Sequence, residues 1–351
     1  MKIYNLSDVH LATRRNLNKL DDINISRLRL FLERVEDNSI VTIAGDLFDL
    51  AIVNSFRNYE TVNVLIEMFN HFHATKKLNF MIIAGNHDYF YDVETERKLG
   101  LFKIIKNIYN TDKNWSVETK SELPPVIITD EIVDVEIKDE ELRFCLMSFN
   151  SYNEDTFVKS CKGYKNILVC HGTTEDEVDE KYPNSTIPDS VIRKFDVVFK
   201  GHIHQRYNNG KIFSNGSVIN VKSNGKTGYT EYDTVSGVAE IKTFNDQYDI
   251  NYVTGVYNKS NISEVLDNLD GMTIASIYFK GNPEDIDPER FNWCFNNCLD
   301  FKIIFDRDIT NRISSDENEE DIFISLDEYF RKNLDTKTQE YIKKLRSEFN
   351  E

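Results

Sequence analysis

Asp8 and His10, Asp46 and Asp49, Asn86 and His87, His171, and His202 and His204 fall in five short stretches, and five of the chain's seven histidines are among them. Imidazole, carboxylate and one amide oxygen make a borderline ligand set, suited to Mn, Fe, Zn or Co and not to Ca. The groups outnumber what one ion needs and suit two ions that share a bridging carboxylate. Two metals ~3.5–4 Å apart can clamp a phosphoryl group and activate a water for in-line attack. Taken singly, any of these histidines reads as an ordinary core or surface residue. What changes the reading is that every stretch follows an apolar run.

Those runs define the elements that must position the groups. Phe80-Met81-Ile82-Ile83-Ala84 empties into Gly85-Asn86-His87-Asp88, the pattern of a buried strand ending in a loop. Residues 2–6, 40–44, 167–170 and 196–200 lead in the same way into Ser7-Asp8-Val9-His10, Gly45-Asp46-Leu47-Phe48-Asp49, His171-Gly172 and Gly201-His202-Ile203-His204. Strand carboxyl ends are where open α/β sheets place their chemistry. In an extended tip residues i and i+2 point the same way, so Asp8 with His10, and His202 with His204, are each expected to converge on one side.

Between the strands, Leu28, Phe31, Leu32 and Val35 form one apolar stripe, predicting a helix from about residue 26. Val62, Leu65, Ile66 and Phe69 repeat the spacing, and a third helix is expected over 94–108. This alternation argues a mainly parallel sheet with helices on its faces. Residues 126–148 alternate apolar and charged, which predicts an antiparallel pair and a second sheet packed on the first. Short strands are expected over 211–213, 217–221, 229–233 and 238–244. Beyond residue 250 comes a small α/β unit without histidine (helices over 262–269 and 288–298, strands over 272–279 and 301–305), suited to capping rather than catalysis. Residues 316–321 read as an acidic linker, and 324–334 and 336–349 as helices, the second with Tyr341, Leu345 and Phe349 on one face. The expected division is 1–250 for the loops that carry chemistry, 251–310 for the small unit, and 311–351 for linker and helices.

The chain has 351 residues, 40% of them apolar and 29% charged, as in an ordinary globular protein. The amino terminus lacks the basic start and apolar region of a secretory signal, and no apolar stretch approaches the ~20 residues that span a bilayer. Five irregularly spaced cysteines fit a reducing compartment, so a cytoplasmic protein without membrane contact is expected. Cys294 and Cys298, one helical turn apart, are read as buried small hydrophobes. The net charge of −17 opposes unaided binding to nucleic acid. Bound cations would reverse the sign locally, or a partner would carry the grip. Lys200 and Arg206, flanking the last motif, are the cations best placed to line a phosphate path.

Together the five stretches resemble the complete signature of calcineurin-like metallophosphoesterases. That resemblance implies an α/β fold, a β-sandwich flanked by helices, here extended by the small α/β capping domain and the C-terminal helices. It implies two divalent metal ions, Mn²⁺ foremost. Asp8, His10, Asp46 and His204 would hold the first, with Asp46 bridging to a second held by Asn86, His171 and His202. His87 would donate a proton or hydrogen bond to the phosphate or leaving oxygen, and Asp49 would orient and polarise it. Protein phosphatases of the family follow the second motif with Arg-Gly; Leu50-Ala51 here argues against them. The opening Ser7-Asp8-Val9-His10-Leu11 and the chain length resemble SbcD-type DNA repair nucleases, including phage recombination endonuclease subunits. Asp49, where archaeal and eukaryotic members have histidine, is similar to the bacterial and phage branch. The resemblance implies DNA as substrate, an SbcC-type coiled-coil ATPase held by the C-terminal helices, and a homodimer. Two other readings stand beside it: a stand-alone phosphoesterase for small or cyclic nucleotides, and a non-catalytic, metal-stabilised scaffold that binds a partner through those helices. About a hundred residues after Phe244 count against the first, and the full ligand set against the second.

Overall fold

Apolar runs without polar interruption can only be satisfied by burial on both faces, and strands of this kind build the centre of the protein. The computed structural model describes residues 1–12, 18–49, 56–92, 97–109, 111, 113–149, 151–152, 158–177, 185–218, 227–244, 246, 248–281 and 285–305. Lys2–Leu6 (β1), Asn18–Arg34 (α1), Ile40–Ala44 (β2), Phe56–Lys76 (α2) and Asn79–Ile83 (β3) alternate along the chain. Phe90–Asp92 (β4) and Arg97–Leu99 (β5) pair as a small antiparallel ribbon before Leu101–Tyr109 (α3). Trp115–Val117 (β6), Val126–Thr129 (β7), Ile132–Ile137 (β8), Leu142–Met147 (β9) and Lys165–His171 (β10) follow. Then come Asp189–Ile192 (α4), Val197–Gly201 (β11), Arg206–Asn208 (β12), Ile212–Asn215 (β13), Tyr229–Asp233 (β14) and Val238–Lys242 (β15).

Two sheets stack face to face. One has the order β15-β14-β1-β2-β3-β7, the other β12-β13-β11-β10-β9-β8-β6. β1, β2, β3 and β7 run parallel, as do β9, β10, β11 and β13, so both sheets send their carboxyl ends to one edge. Ile3, Ile40, Met81, Ile83, Phe144, Ile167, Val169 and Phe199 fill the space between them. On the outer face of the first sheet, Leu28, Phe31, Leu32, Leu65, Phe69 and Phe102 bring α1, α2 and α3 down onto Leu6, Val41, Ile43 and Phe80. The ammonium of Lys76 bonds the carbonyls of Glu33 and Val35 where α1 ends, satisfying groups that a helix terminus leaves open.

Asn251–Asn258 (β16), Thr273–Lys280 (β17) and Asp300–Phe305 (β18) form a separate parallel sheet, with Ile262–Asp267 (α5) and Pro288–Asn297 (α6) between them in sequence. It has its own core of Leu266, Ile277, Phe279, Cys294, Cys298 and Ile303, so the two cysteines are core fillers. Leu20 of α1 meets Ile250, Ile274 and Leu299 beside it.

Several sequence expectations are corrected. α1 begins by Asn18, not near residue 26: its buried stripe continues back through Arg27, Asn24 and Leu20, and the two polar members disguise it. Of the helix expected over 94–108, residues 94–96 lie outside the described residues and the rest is β5 followed by α3, because Gly100 takes φ +147°, outside any helix, where a Cβ would lie 2.7 Å from the carbonyl oxygen of Asp88. Of the strand expected over 217–221, Ser217 makes a single bridge to Thr227, and 219–226 lie outside the described residues. β8 and β9 form the expected antiparallel pair in the second sheet, whereas β7 joins the first. The linker and helices expected over 311–351 lie outside the described residues. No helix among the described residues is long and apolar enough to cross a membrane.

Arg27 is fully buried, and its guanidinium donates to both oxygens of Asp246, to Asp249 at 2.7 Å and to the carbonyl of Val218 at 2.9 Å. The Asp246 side chain is only 2% exposed. Arg27→Met would strand that carboxylate in the interior, so urea unfolding should show a loss of about 3–5 kcal/mol. A loss below about 1 kcal/mol would mean that the network is not what ties α1 to the chain after Phe244.

Candidate metal centre

The edge where the parallel strands end is shaped by backbone pairing between loops. After β1, Asp8 donates its N–H to the carbonyl of Gly45 at 3.0 Å, while Val9 and His10 both donate to the carbonyl of Asp46, at 2.8 and 3.0 Å. Leu11 and Asp49 continue the pairing by bonding to Leu47 and Leu11. The zipper holds Asp8, His10 and Asp46 at φ 53°, the left-handed region. Each such residue costs on the order of 1–2 kcal/mol in an isolated chain. Asp88 clamps the next loop: its buried carboxylate accepts from the N–H groups of Gly85 at 2.7 Å, Phe48 at 2.8 Å and Leu47 at 3.3 Å. Gly45, at φ +83°, lets His171 approach; a Cβ there would lie 2.2 Å from the ring Nδ1.

The side chains converge in overlapping clusters: Asp8, His10 and His204; Asp46, His171 and His202; and His10, Asp49 and His87. Nε2 of His10 lies 3.0 Å from Nε2 of His204, which is in turn 3.3 Å from Oδ1 of Asp8. Oδ2 of Asp46 stands between the first two groups, 3.4 Å from Nε2 of His171 and 4.0 Å from Nε2 of His10. Oδ1 of Asn86 faces Nε2 of His171 at 3.0 Å and Nδ1 of His202 at 2.8 Å. The other nitrogen of His171 bonds the carbonyl of Ala44 at 2.8 Å, which fixes the ring. Apart from these, Nδ1 of His87 meets Oδ1 of Asp49 at 2.9 Å.

The donor set fits cations. Both oxygens of Asp8 are buried and neither accepts a hydrogen bond; a carboxylate so placed needs a positive charge beside it. Burial works to raise the carboxyls of Asp8 and Asp46, yet the facing imidazoles hold both below the usual range. For His171, burial is outweighed by Asp46, which carries the imidazole up to about 9, while burial pushes His10 down to about 4. A proton on His171 thus offsets the charge of Asp46, and binding divalent ions there would release it. Burial works against the charged forms of His87 and Asp49 too, but their mutual hydrogen bond raises the one and lowers the other.

All nine sequence-derived residues meet at this edge: Asp8, His10, Asp46, Asp49, Asn86, His87, His171, His202 and His204. The reason expected for their convergence is corrected. Asp8 and His10 are not extended, and His202 and His204 part company, His202 toward Asn86 and His204 toward Asp8 and His10. The two flanking cations are also corrected. Lys200 is fully buried against Glu177, and Arg206 donates to Thr227 and Thr243, so neither is free to line a phosphate path. Sequence reasoning gave Asp88 no role, although its place three residues after Gly85 suits an aspartate that bonds its own turn. Tyr152, whose hydroxyl reaches the carbonyls of His171 at 3.0 Å and Ser185 at 2.7 Å, carried no sequence signal.

Comparison with known proteins adds three findings. The family model for calcineurin-like phosphoesterases matches residues 1–206. The SbcD subunit of the SbcCD nuclease of Staphylococcus epidermidis is 25% identical over 236 residues, 62% of this chain and 61% of that protein. The match therefore leaves more than a third of that relative's length uncovered. A solved archaeal phosphodiesterase aligns with 69% of this chain and 99% of its own at 19% identity, with a TM-score of 0.34.

Gly85 offers a direct test of how tightly the edge is packed. A Cβ there would lie 2.1 Å from Oδ1 and 2.4 Å from the backbone nitrogen of Asp46. Gly85→Ala is expected to lower stability by about 1–3 kcal/mol through overpacking and to displace Asp46, weakening divalent-cation binding by about tenfold or more. Thermal unfolding with and without Mn²⁺, beside metal titration, reads both; a variant that binds as wild type would show the loop to be slack.

Proposed function

The chain belongs to the calcineurin-like phosphoesterases, and from that footing we propose that it is a two-metal phosphodiesterase acting on DNA. The observation that carries this reading is Asp46, whose carboxylate stands within reach of histidines from both ligand clusters, as a bridge between two ions must. Asp8, His10, Asp46 and His204 would hold one ion, and Asp46, Asn86, His171 and His202 the other. Divalent ions held there, Mn²⁺ in this reading, supply Lewis-acid polarisation of the phosphoryl group and a nucleophile at neutral pH. The protein's part is to place groups around the reacting phosphate. Asp49 accepts from Nδ1 of His87, which fixes the ring and leaves Nε2 to donate to a phosphate or leaving oxygen. Their mutual stabilisation of charge favours the protonated imidazole that this donation needs.

DNA as substrate is supported by the name of the staphylococcal relative, part of a nuclease, and by the SbcD-like opening Ser7-Asp8-Val9-His10-Leu11. In this reading the protein is the exo- or endonuclease subunit of a cytoplasmic repair or recombination complex. Residues 1–250 form the nuclease domain, 251–310 the cap, and 311–351 the dock for an SbcC-type ATPase. A second copy of the chain would be a further partner in this reading. One observation favours a small nucleotide phosphodiester instead: the net charge is −17, and Lys200 and Arg206 are both engaged within the fold.

Three substitutions separate the roles. Asp8→Ala and His204→Ala should lose metal together with activity, read by metal analysis of the purified protein. His87→Ala should keep its metal while turnover falls about 10²–10⁴-fold; a wild-type rate would remove His87 from the chemistry. The substrate is tested by Mn²⁺-dependent degradation of single- and double-stranded DNA beside a panel of small and cyclic nucleotide phosphodiesters. Turnover of DNA is the expected result, and activity confined to the small esters would overturn the nuclease reading.

A further inference from the structure

Phe149 follows β9 and donates its backbone N–H to the carbonyl of Ala84 at 2.9 Å, which plants it where β3 ends, next to Gly85. Its ring centroid lies 6.0 Å from that of His171, edge-on, and 5.9 Å from that of His202, tilted only 32°. The two residues before it on the chain, Met147 and Ser148, are fully buried, whereas Phe149 is only partly so. A phenyl group left partly open beside polar ligands forgoes apolar burial that the adjacent core offers. Beside the other cluster the ring of His87 stands edge-on to His10 at 5.0 Å. An imidazole therefore stands beside the Asp8–His10 cluster and an apolar ring beside the His171–His202 cluster.

A phosphodiester spanning both clusters carries a nucleoside on each side. We propose that Phe149 is a stacking platform for the nucleobase that flanks the scissile phosphate on the His202 side. This inference rests on the nuclease reading. Stacking needs no cation, which suits a chain of net charge −17 whose Lys200 and Arg206 are spoken for. It is also indifferent to sequence, because every base presents a π face.

The test compares cleavage at one defined bond in two DNA oligonucleotides with Mn²⁺, one fully based and one with an abasic tetrahydrofuran residue next to that bond, on each side in turn. Wild-type kcat/KM should drop roughly tenfold for the abasic residue on one side, within the range of one base–aromatic stack. Phe149→Leu should bring that ratio close to one, and Phe149→Tyr should keep it. A ratio unchanged in Phe149→Leu, including an equal fall on both oligonucleotides, is what a purely structural ring gives, and it overturns the platform. A wild-type ratio of one overturns it as well, even if Phe149→Leu does not fold. Wild-type protein that cleaves neither oligonucleotide overturns the nuclease reading itself, a result distinct from the others.

Discussion

Two carboxylates, Asp8 and Asp46, lie at the junction of the stacked sheets with essentially no exposure to water. Removing an anion from water costs several kcal/mol even after the surroundings relax. Among the described residues, the groups that face them are imidazoles, delivered by β10 and by the loops after β1 and β11. The whole edge is arranged to bring those rings in. Parallel strands carry five loops to one side, the zipper between the first two sets the angles of Asp8, His10 and Asp46, and the absence of a side chain at Gly45 admits His171. The strain stored in three left-handed residues is tolerable because the zipper leaves them no alternative.

The carboxylate of Asp88 serves a different end. It sits two residues from Asn86 and one from His87, yet it reaches into neither cluster. Its oxygens are occupied by three backbone N–H groups from two loops. Burial and the charge of Asp46 push its carboxyl up to about 7 despite those bonds. One motif of four residues thus contains Asn86 facing His171 and His202, His87 paired with Asp49, and the clamp that keeps both in place.

Much of this was legible in the chain. Strands β1, β2, β3, β10 and β11 are largely apolar runs, and an apolar run that stops at Asp, Asn or His declares both its burial and its end. The nine polar residues could be named because their types do metal and proton chemistry. The rest was hidden where structure rests on contacts between distant segments. Arg27 and Asn24 stand on the buried face of α1 because their partners, Asp246 and the carbonyl of His10, lie elsewhere in the chain. The fates of Lys200 and Arg206 were equally invisible, since Glu177 and Thr227 are 23 and 21 residues away from them. The separation of His202 from His204 follows from φ 132° at His202, a bend that side-chain alternation does not anticipate.

The same distances set a schedule. His10 finds His204 across 194 positions, His202 finds Asn86 across 116, and His171 finds Asn86 across 85. Loop closure of that size is paid for before any contact returns it. A nascent chain that has emerged only through β9 holds Asp8, His10, Asp46 and Asn86 but none of the three histidines that complete the two clusters. Half-made protein therefore lacks three of the site's imidazoles, and its polar groups come together only after the second sheet has been synthesised and has docked on the first.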